Sequence, residues 1–201
     1  MYTPKAFALD DPEAQANIIA THPFGTLVTQ GEDGLHATHL PFLLHRQQSG
    51  GGVLAGHMAR HNPQLGHTER PALVIFSGPH AYVSPRWYAT PNLVPTWNYV
   101  AVHVHGVLTV ATGPAAGERH LDELLARFEP AGPDIVPPET RAKLLPGIQA
   151  FEMAITRIEG KAKLSQNRSA DDRRGVVAGL LDAGDDLSRQ IAELMRKAAA
   201  P

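Results

Sequence analysis

The chain has 201 residues, with 18 Gly, 17 Pro and no Cys, and its 18 basic and 20 acidic side chains leave a net charge of −2 at pH 7. That length suits one domain, or one domain with a small appendage, and the Gly and Pro content argues for many turns and against a helical bundle. The lack of Cys excludes a disulfide framework and thiolate metal sites, and the balanced charge gives no overall basic field for nucleic acid.

Met1-Tyr2-Thr3-Pro4-Lys5 opens no basic-then-apolar leader, and no apolar run approaches the ~20 residues of a membrane span, so a soluble, cytoplasmic protein is expected. Asp11-Pro12 reads as a helix start, with an acceptor at the cap and Pro at the first helical position; Ala14, Ile18 and Ile19 carry it to about Thr21. Phe24 to Thr29 is a strand, and Gly31-Glu32-Asp33-Gly34 turns it into a second, about 35–45. A loose turn over Gln47 to Gly52 precedes the strand Val53 to His57, and His61-Asn62-Pro63-Gln64 starts a short connector. Ala72 to Phe76 has the composition of a buried strand that can run on to Val83; residues 84–96 are too irregular for a regular element.

From Trp97 to Thr112 the alternation is clearest, with Val100, Val102 and Val104 on one face and Tyr99, Ala101, His103 and His105 on the other. Leu121, Leu124, Leu125 and Phe128 mark a helix over 116–129, and a short one follows near 139–145. Phe151, Met153 and Ile155 alternate in a last strand that reaches about Lys163, and two helices near 169–183 and 185–199 are separated by Gly184. Five or six antiparallel strands with helices at the ends suggest a small barrel decorated by helices.

All eleven His fall between His22 and His120, whereas residues 121–201 hold 25 of the 38 charged side chains. His103 and His105 share a strand face at a spacing that metal sites use, yet no third ligand at fixed spacing joins them; such a pair is more often a polar cavity lining or a core residue with a satisfied N–H, so no metal site is expected. Gly50-Gly51-Gly52-Val53-Leu54-Ala55 fits the dinucleotide pattern G-x-G-x-x-A, but a polar turn precedes it and a strand follows, so it reads as a hairpin turn. No G-x-S-x-G elbow is present. In an extended segment Lys161, Lys163 and Ser165 share one face, which suits a phosphate dianion or a solvated strand end beside a helix cap. Residues 157–174 carry six basic and three acidic side chains, the best electrostatic footprint for DNA, without a helix-turn-helix pattern.

Four polar-aromatic strings crowd His, Trp, Tyr, Asn and Arg at strand ends: Ala37-Thr38-His39-Leu40-Pro41, Gly56 to Gln64, Ser77 to Tyr88, and Pro95-Thr96-Trp97-Asn98-Tyr99. Aromatic faces beside a few directed donors suit a flat heteroaromatic ligand, and equally a dimer interface. With Met1-Tyr2, Pro4 and Phe7 at the start, Pro23 to Thr29, and Phe151 to Arg168, these strings resemble the PaiB family of FMN-binding negative transcriptional regulators. Two departures stand out. Ala162 takes the place of an aromatic residue, and Ser169 the place where Pro often follows the Asn-Arg pair.

The resemblance implies a mainly β protein with peripheral helices, a six-stranded antiparallel split β-barrel of the FMN-binding type, dimerising with FMN at the subunit interface. It implies an FMN-binding domain over 1–168, with a helical insertion about 113–148, and a C-terminal helical extension over 169–201 packed on the barrel. FMN needs cations and hydroxyls for its phosphate, for which Lys161, Lys163 and Ser165 with Arg60 or Gln166 are candidates. Thr38, His39, Leu40 and Pro41 offer a strand edge for the pyrimidine, and Trp97, Tyr99 or Trp87 cover for the ring. His57, Asn62 and Asn98 complete the expected set. DNA contacts are sought from Arg157 to Arg174 and in the last helices. Three other readings share the barrel: an FMN-dependent oxidoreductase using a nicotinamide donor, with His39, His57 or His103 relaying a proton; a haem-binding or haem-degrading barrel; and a flavin-free dimerisation module.

Overall fold

The computed structural model describes residues 1–46 and 51–198, which leaves most of the turn expected over Gln47 to Gly52, and Ala199, outside the described residues. In chain order the elements are α1 (Pro12–Thr21), β1 (Phe24–Gly31), β2 (Gly34–Pro41), β3 (Leu43–Arg46), β4 (Gly52–Ala59), β5 (Pro71–Val83) and β6 (Thr96–Val110). There follow α2 (Pro114–Phe128), α3 (Pro138–Leu144), β7 (Ile148–Lys163), α4 (Ala170–Ala183) and α5 (Asp186–Lys197). The strands form a sheet in the order β2-β1-β5-β6-β7-β4-β3. Pairing is antiparallel between β1 and β2, β1 and β5, β3 and β4, and β4 and β7.

Seven strands among the described residues replace the six expected, because the second expected strand divides at Phe42. Pro41 has no N–H to extend the ladder, and the backbone N–H of Phe42 instead donates to the Pro23 carbonyl at 2.9 Å. The expected run of β5 to Val83 is observed, and β7 begins at Ile148, three residues before its first alternating apolar position. In β6 the alternation holds throughout, with Val100, Val102, Val104 and Leu108 all buried.

The chain forms two compact units. The first comprises Met1–Ile18, Ser77–Val102 and Glu159 onward. Its first residues are pinned to β7: the Met1 ammonium lies 2.6 Å from Glu159, Ala8 bridges Lys161, and Leu9 N–H donates to the Gly160 carbonyl at 3.1 Å. Ser169 caps α4 by accepting from the Asp172 N–H at 3.1 Å, so the residue that departs from the family pattern has a helix-starting role of its own. Gly184, at φ 76°, ends α4 in the left-handed region, and Asp185 caps α5 at the Ser188 N–H. Val176, Leu180, Ile191, Ala192 and Met195 bury the facing sides of the two helices.

Two glycines let α4 lie against the Pro85–Trp87 turn. A Cβ on Gly175 would stand 2.0 Å from the Trp87 carbonyl oxygen, and one on Gly179 2.3 Å from its indole. Gly to Ala inside a helix ordinarily stabilises by about 0.5–1 kcal/mol. Here the sign reverses: Gly175→Ala is expected to lose about 1–3 kcal/mol through the clash with backbone, read as a lower urea midpoint at unchanged slope. An unchanged or raised midpoint would refute the packing.

The second unit comprises Ile19–Phe76 and His103–Ile158. Its core gathers Leu27, Phe42, Leu54, Met58, Phe76, Phe151 and Met153, all buried. The Phe42 ring meets Phe76 at 5.6 Å and Phe151 at 6.1 Å, both edge to face.

Candidate functional site

In the second unit the expected residues of β2 enter a hydrogen-bond net centred on a residue outside the expected set, Gln64. Asn62 caps the short turn Pro63–His67 by accepting from the Gln64 N–H, and its Nδ2 donates to Thr38 Oγ1 at 3.1 Å. Thr38 donates in turn to Gln64 Oε1, while Gln64 Nε2 donates to Thr29 Oγ1 at 2.9 Å. Thr29 Oγ1 also lies 2.8 Å from His67 Nδ1. His39 pairs with Thr26 at 2.9 Å and stacks on Phe24, Leu40 is buried, and Pro41 ends the ladder. In the string Asn62-Pro63-Gln64 a capping Asn and a Pro with preset φ mark the turn, but the side-chain partners of Gln64 lie 26 to 37 positions away and leave no local signal.

Two other expected residues of this unit are engaged elsewhere. The Arg60 guanidinium donates to the carbonyls of Pro146 at 2.6 Å and Ile148 at 2.7 Å and to Gln149 Oε1 at 3.1 Å, tying β4 to the start of β7. His57 Nδ1 lies 3.2 Å from Nε2 of His120 on α2, a partner absent from the expected set because nothing local links residues 63 positions apart. Burial holds His57 below the usual imidazole range. His120 is only 6% exposed, and its Nδ1 has no partner among the described residues. Burial first, then the neighbouring His57 and His45, pushes its titration down to about 4.

An unfolded imidazole titrates near 6.5, so on acidification the unfolded chain takes up this proton first. Stability is therefore expected to fall as pH drops from about 6.5 toward about 4 and to level off below. His120→Gln should flatten that limb in urea melts followed across this range; an equal acid loss in both proteins rejects the assignment.

In the first unit, the shared face of Lys161, Lys163 and Ser165 ends with the strand. Ser165 has a φ of 61°, which turns the chain away and buries its hydroxyl against Asn98, 3.0 Å from Nδ2 and 3.2 Å from Oδ1. Asn98, fully buried, also lies 3.4 Å from Met195 Sδ on α5. Gln166 closes the same turn, accepting from the Leu164 N–H at 2.7 Å and donating to the Ala162 carbonyl at 2.5 Å. Lys161 is 8% exposed; its ammonium donates to the Tyr2 carbonyl at 3.1 Å and lies 5.2 Å from the Tyr99 ring centroid. Lys163 donates to Thr96 Oγ1 and, at 2.8 Å, to the Trp97 carbonyl. Burial, then Lys161 and Arg168, holds its ammonium below the usual lysine range. Trp97 itself is 54% exposed, with Tyr82 edge-on at 6.1 Å and His80 at 6.3 Å.

The comparisons with known proteins agree with the fold and the motifs. The family model described as "Putative FMN-binding domain" matches residues 1–157. Protease synthase and sporulation protein PAI 2 of Bacillus subtilis is 36% identical over 202 residues, covering 97% of this chain and 96% of its own. An uncharacterised protein of Emericella nidulans is 31% identical over 235 residues, covering 92% and 94%. Among solved structures, the flavocytochrome of Azotobacter vinelandii matches with a TM-score of 0.64 at 15% identity, over 78% of this chain and 69% of that one. The FAD and heme binding protein of Mycobacterium smegmatis matches with a TM-score of 0.61 at 22% identity, over 87% and 78%. These two likenesses concern the fold: a mainly antiparallel sheet with peripheral helices, shared with flavin-binding split barrels. The extent of the family match and the near full-length identity to the Bacillus protein place this chain in the FMN-binding domain family, the PaiB family that its motifs resemble.

Proposed function

We propose that this chain is an FMN-binding regulator of the PaiB type that works in the cytoplasm as a homodimer. The observation that carries the flavin reading is the cation cluster of the first unit. Lys163 sits among groups that disfavour its charge, burial first and then Lys161 and Arg168, while holding the carbonyl of an exposed tryptophan. A phosphate dianion relieves that repulsion, and an open indole beside it offers a flavin ring its cover, so the residues present fit FMN. FMN, when bound, supplies redox chemistry at its ring system. Lys163, Lys161 and Arg168 hold the phosphate; Ser165, Gln166 and Asn98 shape the turn that carries Lys163. The second unit, taken by itself, has in Thr38 to Pro41 with Asn62 a polar strand end suited to a pyrimidine edge.

The flavin-binding part is proposed to span 1–168, with α4 and α5 as its helical extension. Exposed Trp97, Tyr82 and Val94 supply an apolar surface of the kind a second copy covers. The identity of the ligand is decided by the absorption spectrum of material released by heat from purified protein. FMN is expected; a Soret band would establish haem instead, and a colourless supernatant after incubation with FMN would sink the reading. The regulatory half predicts a complex with promoter DNA, through the basic residues from Arg157 to Arg174 and the last helices, that weakens steeply as salt rises. A titration without any salt-sensitive complex at micromolar protein counts against that half alone.

A further inference from the structure

Gln64 is 1% exposed, and its neighbours dictate the orientation of its side-chain amide. Nε2 faces the carbonyl oxygens of His36 at 3.3 Å and Leu27 at 3.4 Å as well as Thr29 Oγ1. A backbone carbonyl only accepts, so the nitrogen end must be the one that faces these two oxygens, and the amide cannot be reversed. Oε1 then faces Thr38 Oγ1. An amide oxygen also only accepts, so the single hydroxyl proton of Thr38 is committed to Gln64.

Asn62 is oriented by the same logic. Its Oδ1 accepts from the backbone N–H of Gln64 at 2.9 Å, which leaves Nδ2 to donate to Thr38 Oγ1 at 3.1 Å. The Thr38 oxygen has therefore given its proton and filled one of two lone pairs. Thr38 is half-buried, and one lone pair of its oxygen is not used by Gln64 or Asn62.

We infer that Thr38 is a specificity-determining contact that can only accept a hydrogen bond, its polarity set by Gln64 and Asn62 as positioning residues. A ligand group placed against it must bring its own N–H or O–H. The inference rests on the FMN reading for the identity of that ligand. Along the pyrimidine edge of a flavin, C2=O and C4=O accept and N3–H alone donates, so N3–H is the group that faces Thr38. The two flanking carbonyls must find donors elsewhere.

The test compares FMN with 3-methyl-FMN, in which a methyl replaces the N3 proton, by flavin fluorescence on the full chain. The native protein is expected to prefer FMN by about tenfold, the worth of one hydrogen bond. Thr38→Ser should keep that preference. Thr38→Val, nearly the same shape without the acceptor, should bring the ratio close to one, whereas mere crowding of the methyl would leave the preference in place. Gln64→Met frees the hydroxyl proton and should shrink the ratio with Thr38 intact; circular-dichroism melts confirm that each variant is folded. A second readout needs no flavin: the Thr38 hydroxyl proton should exchange slowly in the NMR spectrum and show a contact to the Gln64 side chain.

Equal binding of the two flavins by the native protein overturns the inference while the FMN reading stands. If neither flavin binds, the FMN reading fails and the hydroxyl resonance decides the polarity alone, a fast-exchanging proton refuting it.

Discussion

Lys163→Met is expected to weaken FMN binding by about 10- to 100-fold, the worth of a charge-assisted hydrogen bond to phosphate. Binding of riboflavin, which lacks the phosphate, should stay within about twofold of native. The split follows from where the side chain sits. Its ammonium is held below the usual range by burial and by Lys161 and Arg168, so in the flavin-free chain this charge is a source of repulsion. A dianion turns the three cations into a clamp, because the crowding of like charge around Lys163 favours a negative partner. Removing Lys163 takes away attraction from the complex and repulsion from the free protein, so the variant is expected to melt close to native. Isothermal titration with FMN and riboflavin reads both effects. Equal losses for the two flavins would mean that Lys163 acts through the Trp97 carbonyl it holds, and unchanged FMN affinity would move the phosphate elsewhere.

Phe42→Ala is expected to lower unfolding free energy by about 3–5 kcal/mol, measured as a shift in urea midpoint with an unchanged slope. Phe42 is 1% exposed and meets two further buried rings, Phe76 and Phe151, edge to face. Truncation removes both aromatic contacts and leaves a ring-sized void among side chains that cannot collapse, being anchored on β5 and β7. Phe42→Leu, which retains most of the volume, should recover a large part of the loss. A loss below about 1 kcal/mol for the alanine variant would show that the three rings do not form the core of this unit.

Much of the sheet is legible in the chain because β6 alternates without interruption and local chemistry marks the ends of α1, α4 and α5. Asp11, Ser169, Gly184 and Asp185 each act within a few residues of themselves, and each does what its type suggests. Phe42 is different. A run of strand formers on both sides conceals the break, which becomes visible only when Pro23 supplies an acceptor for the displaced N–H. At the candidate site the basic residues could be picked out, but their poses could not. An extended pattern puts Ser165 beside Lys163, whereas a left-handed φ at Ser165 sends its hydroxyl to Asn98 instead. His120 and Gln64 illustrate the remaining gap. Both are polar, both are buried, and each takes its meaning from partners far along the chain.

The pinning of the first residues to β7 has a consequence for how the protein is made. The unit that holds Met1 to Ile18 also needs Ser77 to Val102 and everything from Glu159 onward. A ribosome synthesising this chain has therefore released more than three quarters of it before Ala8 can find Lys161 or the Met1 ammonium can find Glu159. The stretches Ile19–Phe76 and His103–Ile158 are complete earlier and can pack first. The N-terminal residues must wait as a tethered, unpaired segment, so their docking is the late, long-range closure of a large loop. Premature termination before residue 159 thus removes the partners of Met1 and Ala8, and a lesion late in the coding sequence is felt by residues made long before it.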